Sequence, residues 1–157
     1  MNRTGIGKDI HRLVPGRPFI LGGIIIPHDM GEEGHSDGDV LTHAIMDALL
    51  GASCLGDIGE LFPDNDPQWK NANSLELLRS VLKLVQKEGW RVVNIDCVIT
   101  CEKPKILPYR DLIRKSLGEV FGNAELCFIK GKTAERLDAI GRGEAVEALA
   151  VCLLEKT

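Results

Sequence analysis

Residues 37–53 restrict the fold more than any other stretch. They include the run Val40-Leu41-Thr42-His43-Ala44-Ile45-Met46-Asp47-Ala48-Leu49-Leu50. The preceding Ser36-Asp37-Gly38-Asp39 cluster can start a helix, and Gly51 stands near its end. A helix this apolar has too little polar face to lie on a surface, so it must be largely buried. Yet Asp39, His43 and Asp47 fall at i, i+4 and i+8, one stripe along it. A buried polar stripe needs partners. Two solutions stay open. One is ordinary hydrogen bonding. The other is a metal at His43, with Asp39 or Asp47 orienting the imidazole.

A second motif bears on that choice. Gly7-Lys8-Asp9-Ile10-His11 lies in a stretch, 3–11, that reads as a strand with glycines. Asp9 and His11 are two apart, so on a strand they point the same way. Three of the four histidines in the chain lie in these two regions, at 11, 35 and 43. Asp9, His11 and His43 together make a set of one carboxylate and two imidazoles. On a zinc-like ion that leaves a fourth tetrahedral position for water or substrate. An Asp-x-His pair is a weak signal alone, and its force comes from the second cluster.

The rest of the chain supplies what such a helix packs on. Phe19-Ile20-Leu21 and Ile24-Ile25-Ile26, joined by Gly22-Gly23, predict a β-hairpin. Residues 27–34 read as a loop, and 56–69, rich in Gly, Pro, Asp and Asn, as irregular. A second helix runs from Ser74 to about Gly89, a strand from Trp90 to Cys101, a third helix over 109–121 and a strand over 125–131. Residues 144–155 are ambiguous. Their alanines favour a helix, while Val146, Ala148, Ala150 and Cys152 would line one face of a strand. The order implies an α+β fold, a mixed sheet with helices packed on one face.

At 157 residues the chain suits a single domain, 1–157, with a real core. The net charge of −4 argues against a nucleic-acid partner. No stretch reaches transmembrane length, and Met1-Asn2-Arg3 leads on without a signal-peptide core, so no membrane role is expected. The five cysteines (Cys54, Cys97, Cys101, Cys127, Cys152) are an odd number without a C-x-x-C pair. They read as reduced packing residues of a cytoplasmic protein.

The helix belongs to a longer pattern. His35-Ser36-Asp37-Gly38-Asp39-Val40, His43-Ala44, Asp47-Ala48-Leu49-Leu50-Gly51, Gly56-Asp57-Ile58-Gly59 and Phe62-Pro63-Asp64 follow in one block. Pro104-Lys105 and Gly141-Arg142-Gly143-Glu144 accompany it. Over essentially its full length the chain resembles the 2-C-methyl-D-erythritol 2,4-cyclodiphosphate synthases of the non-mevalonate isoprenoid pathway.

The resemblance implies a homotrimer with sheets toward the axis, and residues 144–155 as a strand. It implies a divalent metal, usually zinc, on Asp9, His11 and His43. Magnesium or manganese would bridge the substrate diphosphate, with Glu135 as the ligand. The substrate would be 4-diphosphocytidyl-2-C-methyl-D-erythritol 2-phosphate, a CDP-linked small molecule. Its 2-phosphate would attack its own β-phosphorus, releasing CMP. A phosphate monoester is already ionised at neutral pH, so positioning and charge stabilisation carry the work.

Residue by residue, the resemblance makes His35 and Thr133 the transition-state stabilisers. Asp9, Ile10, His11, His35 and Ser36 would line the phosphate side. Asp57, Ile58 and Gly59 would hold the erythritol hydroxyls, and Phe62, Pro63, Asp64, Asn65 and Asp66 would close over them. The stretch Thr100, Cys101, Glu102, Lys103, Pro104, Lys105 and Ile106 would wrap the cytosine. Lys132, Thr133, Ala134 and Glu135 would meet the diphosphate, and Arg142 with Glu144 would stand near the trimer axis. Lys8 and Asp138-Ala139 depart from the usual pattern. Two rivals share the scaffold. A metal-dependent nucleotide-diphosphate hydrolase would use water as nucleophile. A non-catalytic trimeric binding module would keep the core but should lose the metal ligands.

Overall fold

The computed structural model describes residues 1–156. Five strands form one mixed sheet in the order β4-β1-β7-β5-β6. They are β1 (Asn2–Pro15), β4 (Met30–Glu32), β5 (Trp90–Thr100), β6 (Cys127–Lys132) and β7 (Ala145–Lys156). Only the β5–β6 pair is parallel. The expected hairpin, β2 (Phe19–Leu21) with β3 (Ile24–Ile26), forms a separate two-stranded sheet.

β7 decides the ambiguous segment. It lies at the centre of the sheet and pairs with β1 on one side and β5 on the other. Val146, Ala148, Ala150, Cys152 and Leu154 alternate into the core. Two complete ladders and a buried face outweigh the helix propensity of the alanines.

Helices α1 (Val40–Ser53), α3 (Ser74–Lys87) and α4 (Arg110–Phe121) cover one face. α1 is almost wholly buried, as its composition requires. Its approach to β1 depends on two glycines. A Cβ on Gly5 would sit 2.0 Å from the Ala48 carbonyl oxygen, and one on Gly7 1.9 Å from that of Ala44. The missing side chains let the helix lie directly on the strand, which carries His43 over Asp9 and His11.

Several boundaries differ from the sequence expectation. α1 begins at Val40 rather than at 37, because Asp39 is its N-cap and Gly38 before it has φ +80°. The helix passes Gly51 and ends at Cys54 in the left-handed region. The 27–34 loop contains β4, which pairs with the extended end of β1. The irregular 56–69 stretch contains α2 (Ile58–Leu61), capped by Asp57, and a 3-10 turn at Pro67–Trp69, capped by Asp66. A short helix, α5 (Asp138–Gly141), was not anticipated. Isolated turns of this length carry no hydrophobic period to read.

The other face of the sheet carries Ile6, Ile10, Phe128 and Val151, and Ile6 is 67% exposed. No helix among the described residues is long and apolar enough to cross a membrane.

Candidate active site

β1 and α1 bring the three expected ligands together. Asp9 Oδ2 lies 2.9 Å from His11 Nε2 and 3.1 Å from His43 Nδ1, and the two nitrogens are 3.2 Å apart. His11 Nδ1 is 2.7 Å from the Glu33 carbonyl oxygen, which can only accept. The proton of a neutral His11 therefore sits on Nδ1, and its Nε2 lone pair faces the cluster.

The electrostatics favour positive charge at this point. Burial works to raise the Asp9 pKa, but hydrogen bonds from His11 and His43 outweigh it and hold the carboxyl well below the usual range. Burial works to lower His11, yet the Asp9 hydrogen bond and charge push it up. A carboxylate oxygen and two imidazole nitrogens within 4.8 Å of one another are a set suited to a divalent ion.

The orienting carboxylate is neither of the two expected. Asp39 is fully buried and spent on the hairpin and helix start: it accepts from Gly22 N–H, Gly23 N–H, Thr42 N–H and the Thr42 hydroxyl. Asp47 accepts from Ile58 N–H and so anchors α2. The stripe reading placed them on the right helix face but missed that backbone donors from other elements converge there. His43 Nε2 instead lies 2.9 Å from Ser74 Oγ and 3.1 Å from Ser36 Oγ.

The cluster opens into a cavity of about 460 Å³. Its polar side is Asp9, His11, His35, Ser36 and His43. Ile58, Gly59, Phe62, Pro63, Asp64 and Asn65 form the far wall. His35 Nε2–H donates to the Asp66 carbonyl at 3.0 Å, tying the 33–38 loop to that wall. Four lining residues escaped the sequence reading: Gly34, Met46, Trp69 and Leu77. Met46 stands one helical turn after His43, so its spacing was available as a signal. Trp69 packs edge-on against Phe62 with ring centres 5.0 Å apart. Asp57 borders this wall and accepts Glu60 N–H with its Oδ1. The Ile10 side chain points to the opposite face of the sheet.

The remaining expected residues gather elsewhere. Cys101, Glu102, Pro104, Lys105, Ile106 and Lys132 line a second hollow of about 250 Å³. Thr100 ends β5 opposite Lys132. Glu102 accepts from Ala134 N–H and Arg136 N–H, folding the 133–136 loop against this hollow. Thr133 and Glu135 are exposed there and bond to one another. Lys103 and Arg142 border a third hollow, and Arg142 pairs with Glu144 at 3.0 Å. Among the described residues none lines both the first and second hollows.

The profile of the YgbB family matches residues 2–155. A curated relative from Treponema denticola, 2-C-methyl-D-erythritol 2,4-cyclodiphosphate synthase, is 56% identical over 97% of this chain and 95% of its own. A solved structure of 2C-methyl-D-erythritol-2,4-cyclodiphosphate synthase in a CDP-bound form superposes with a TM-score of 0.89. It is 42% identical, over 98% of this chain and 100% of that one. The bifunctional IspDF of Campylobacter jejuni matches with a TM-score of 0.96 and 38% identity over 100% of this chain. There this chain spans only 43% of the larger protein.

Proposed function

The chain belongs to the YgbB family, and on that premise we propose how its hollows carry out the reaction of its curated relatives. The function is that of a 2-C-methyl-D-erythritol 2,4-cyclodiphosphate synthase, a phosphorus–oxygen lyase of non-mevalonate isoprenoid biosynthesis. In 4-diphosphocytidyl-2-C-methyl-D-erythritol 2-phosphate, the 2-phosphate oxygen bonds to the β-phosphorus. The bond from that phosphorus to the bridging oxygen breaks, CMP leaves with its electron pair, and an eight-membered cyclic diphosphate remains. The convergence of Asp9, His11 and His43 on one point of a cavity walled by His35 and Ser36 carries this reading.

The chemistry needs two anions brought together. Asp9, His11 and His43 would hold a divalent, zinc-like ion, which would supply positive charge to offset the repulsion between the phosphates. The protein's own part is positioning. His35 is tethered through Asp66 and Ser36 through the same loop, so both are held toward the cavity that receives the phosphates. The Ile58–Gly59 turn and the Phe62 wall offer an enclosed surface for the erythritol unit, with Asp57 as acceptor for its hydroxyls. Lys105 and Lys132 bring cations to the second hollow, which suits the cytidine side of the diphosphate. Glu135 would hold the magnesium or manganese.

The two halves lie apart on one chain, which supports a cleft completed by a neighbour. The exposed apolar residues on the open sheet face support a homotrimer built on that face. The five cysteines are all free thiols, which agrees with a cytoplasmic setting.

Phosphorus NMR of the product tests the reaction. Incubation with the CDP-linked substrate, zinc and magnesium should yield CMP and the cyclic diphosphate in equal amounts. No labelled oxygen should enter from water. Label in an uncyclised product would assign the chain to the hydrolase alternative.

A further inference from the structure

Ser74 and Asp37 form a relay behind His43. Ser74 is fully buried at the start of α3, and its hydroxyl is 2.5 Å from Asp37 Oδ1. Asp37 Oδ2 takes the Ser74 N–H at 2.9 Å, while Oδ1 also accepts Asp39 N–H at 3.2 Å. An ionised Asp37 can only accept, so the Ser74 hydroxyl proton is committed to it. The Ser74 oxygen then offers a lone pair to His43 Nε2 at 2.9 Å, and that nitrogen must carry the proton. The consequence falls at the other end of the ring. Nδ1, 3.1 Å from Asp9 Oδ2, is then the nitrogen that faces the candidate metal point and would ligate an ion there in place of its bond to Asp9.

We infer that Ser74, fixed by Asp37, is the positioning residue that sets the tautomer and orientation of His43 for metal retention. The inference rests on the metal reading above. Ligating imidazoles hold metal best when the remote nitrogen donates to a fixed acceptor, and loss of such an acceptor costs about 10- to 100-fold in affinity. His11 meets the same requirement through the Glu33 carbonyl. Ser36 Oγ, the other group near His43 Nε2, is no equal substitute: it is farther, at 3.1 Å, and lies at the cavity wall. Asp37 also helps bind the two loops together: its N–H donates to the Ala72 carbonyl, beside a separate bond from Asn71 N–H to the His35 carbonyl. The relay thus links the metal ligand to the loop that carries His35.

The test compares Ser74→Ala and Asp37→Asn with the parent protein. Zinc affinity is read by competition with a chromogenic chelator, and the histidine tautomers by nitrogen-15 NMR of the zinc-free protein. The parent should bind zinc and show His43 protonated on Nε2. S74A should keep its fold by circular dichroism and bind zinc about 10- to 100-fold more weakly, with a mixed tautomer signal. D37N should shift in the same direction, because its single acceptor oxygen cannot serve Ser74 N–H, Ser74 O–H and Asp39 N–H together. A folded S74A with zinc affinity within threefold of the parent overturns the inference. If S74A does not fold, the parent spectrum decides: a His43 Nε2 that carries no proton overturns it. If the parent takes up no zinc, the metal reading fails, while the tautomer still judges the relay.

Discussion

Glu32 shows how one buried side chain makes stability depend on pH. It is fully buried; Oε2 accepts the Ile20 N–H at 2.9 Å and Oε1 has no partner. Burial pushes its pKa from an ordinary 4.5 up to about 8. Asp39 adds to the shift, and the Ile20 N–H and His11 oppose it. The folded protein therefore holds a proton that the unfolded chain has released between these values. Stability from this group is full below pH 4.5 and is lost as pH rises through about 8. Glu32→Gln keeps the shape and the acceptor for Ile20 but cannot ionise. Melting temperatures of both proteins, measured from pH 5 to 9, should diverge, with E32Q gaining on the parent as pH rises. Parallel curves would show that Glu32 is not protonated in the fold.

At the scale of elements, the contact of α1 with β1 is the critical one. It depends on Gly5 and Gly7 having no side chain, and the neighbouring atoms, backbone apart from the Ala52 Cβ beside Gly5, cannot swing aside. Gly7→Ala should force the helix off the strand, at a cost of about 1–3 kcal/mol or more. It should also weaken zinc binding, since His43 rides on α1. Gly51→Ala is the control: it lies in the same helix, and a Cβ there meets nothing within 4 Å. That change should raise stability by up to about 1 kcal/mol. Thermal melts and metal content of the two variants check the contrast. Equal metal retention in G7A and G51A would separate the helix–strand distance from the site.

At the scale of the whole molecule, the two halves of the proposed cleft are the point to test. The metal side and the Thr133 side lie in separate hollows of one chain. In a threefold assembly each interface joins two different patches, so a neighbour can complete the site. His11→Ala and Thr133→Ala chains should each be nearly inactive alone. Refolded together at equal ratio, about a quarter of the sites should combine an intact metal half with an intact nucleotide half. Activity should return accordingly. Verified mixed trimers without recovery would rule out the shared cleft.

The three candidate ligands were legible in the chain because their spacing is local. Asp9 and His11 alternate on a strand, and His43 sits within a helix whose composition demands burial. The hairpin and the two amphipathic helices were readable for the same reason, since short-range periodicity encodes them. Other features needed distant partners. Residues 145–156 became a strand because β1 and β5 lie on either side, which outweighs an alanine-rich helical tendency. Asp39 and Asp47 share a face with His43, yet hydrogen bonds from Gly22, Gly23 and Ile58 take them. The His43 acceptor comes from Ser74, 31 residues away at the start of another helix. Local sequence sets which way a side chain points on its own element. Which group it meets depends on how the elements pack, and here two glycines and a capped helix start determine that.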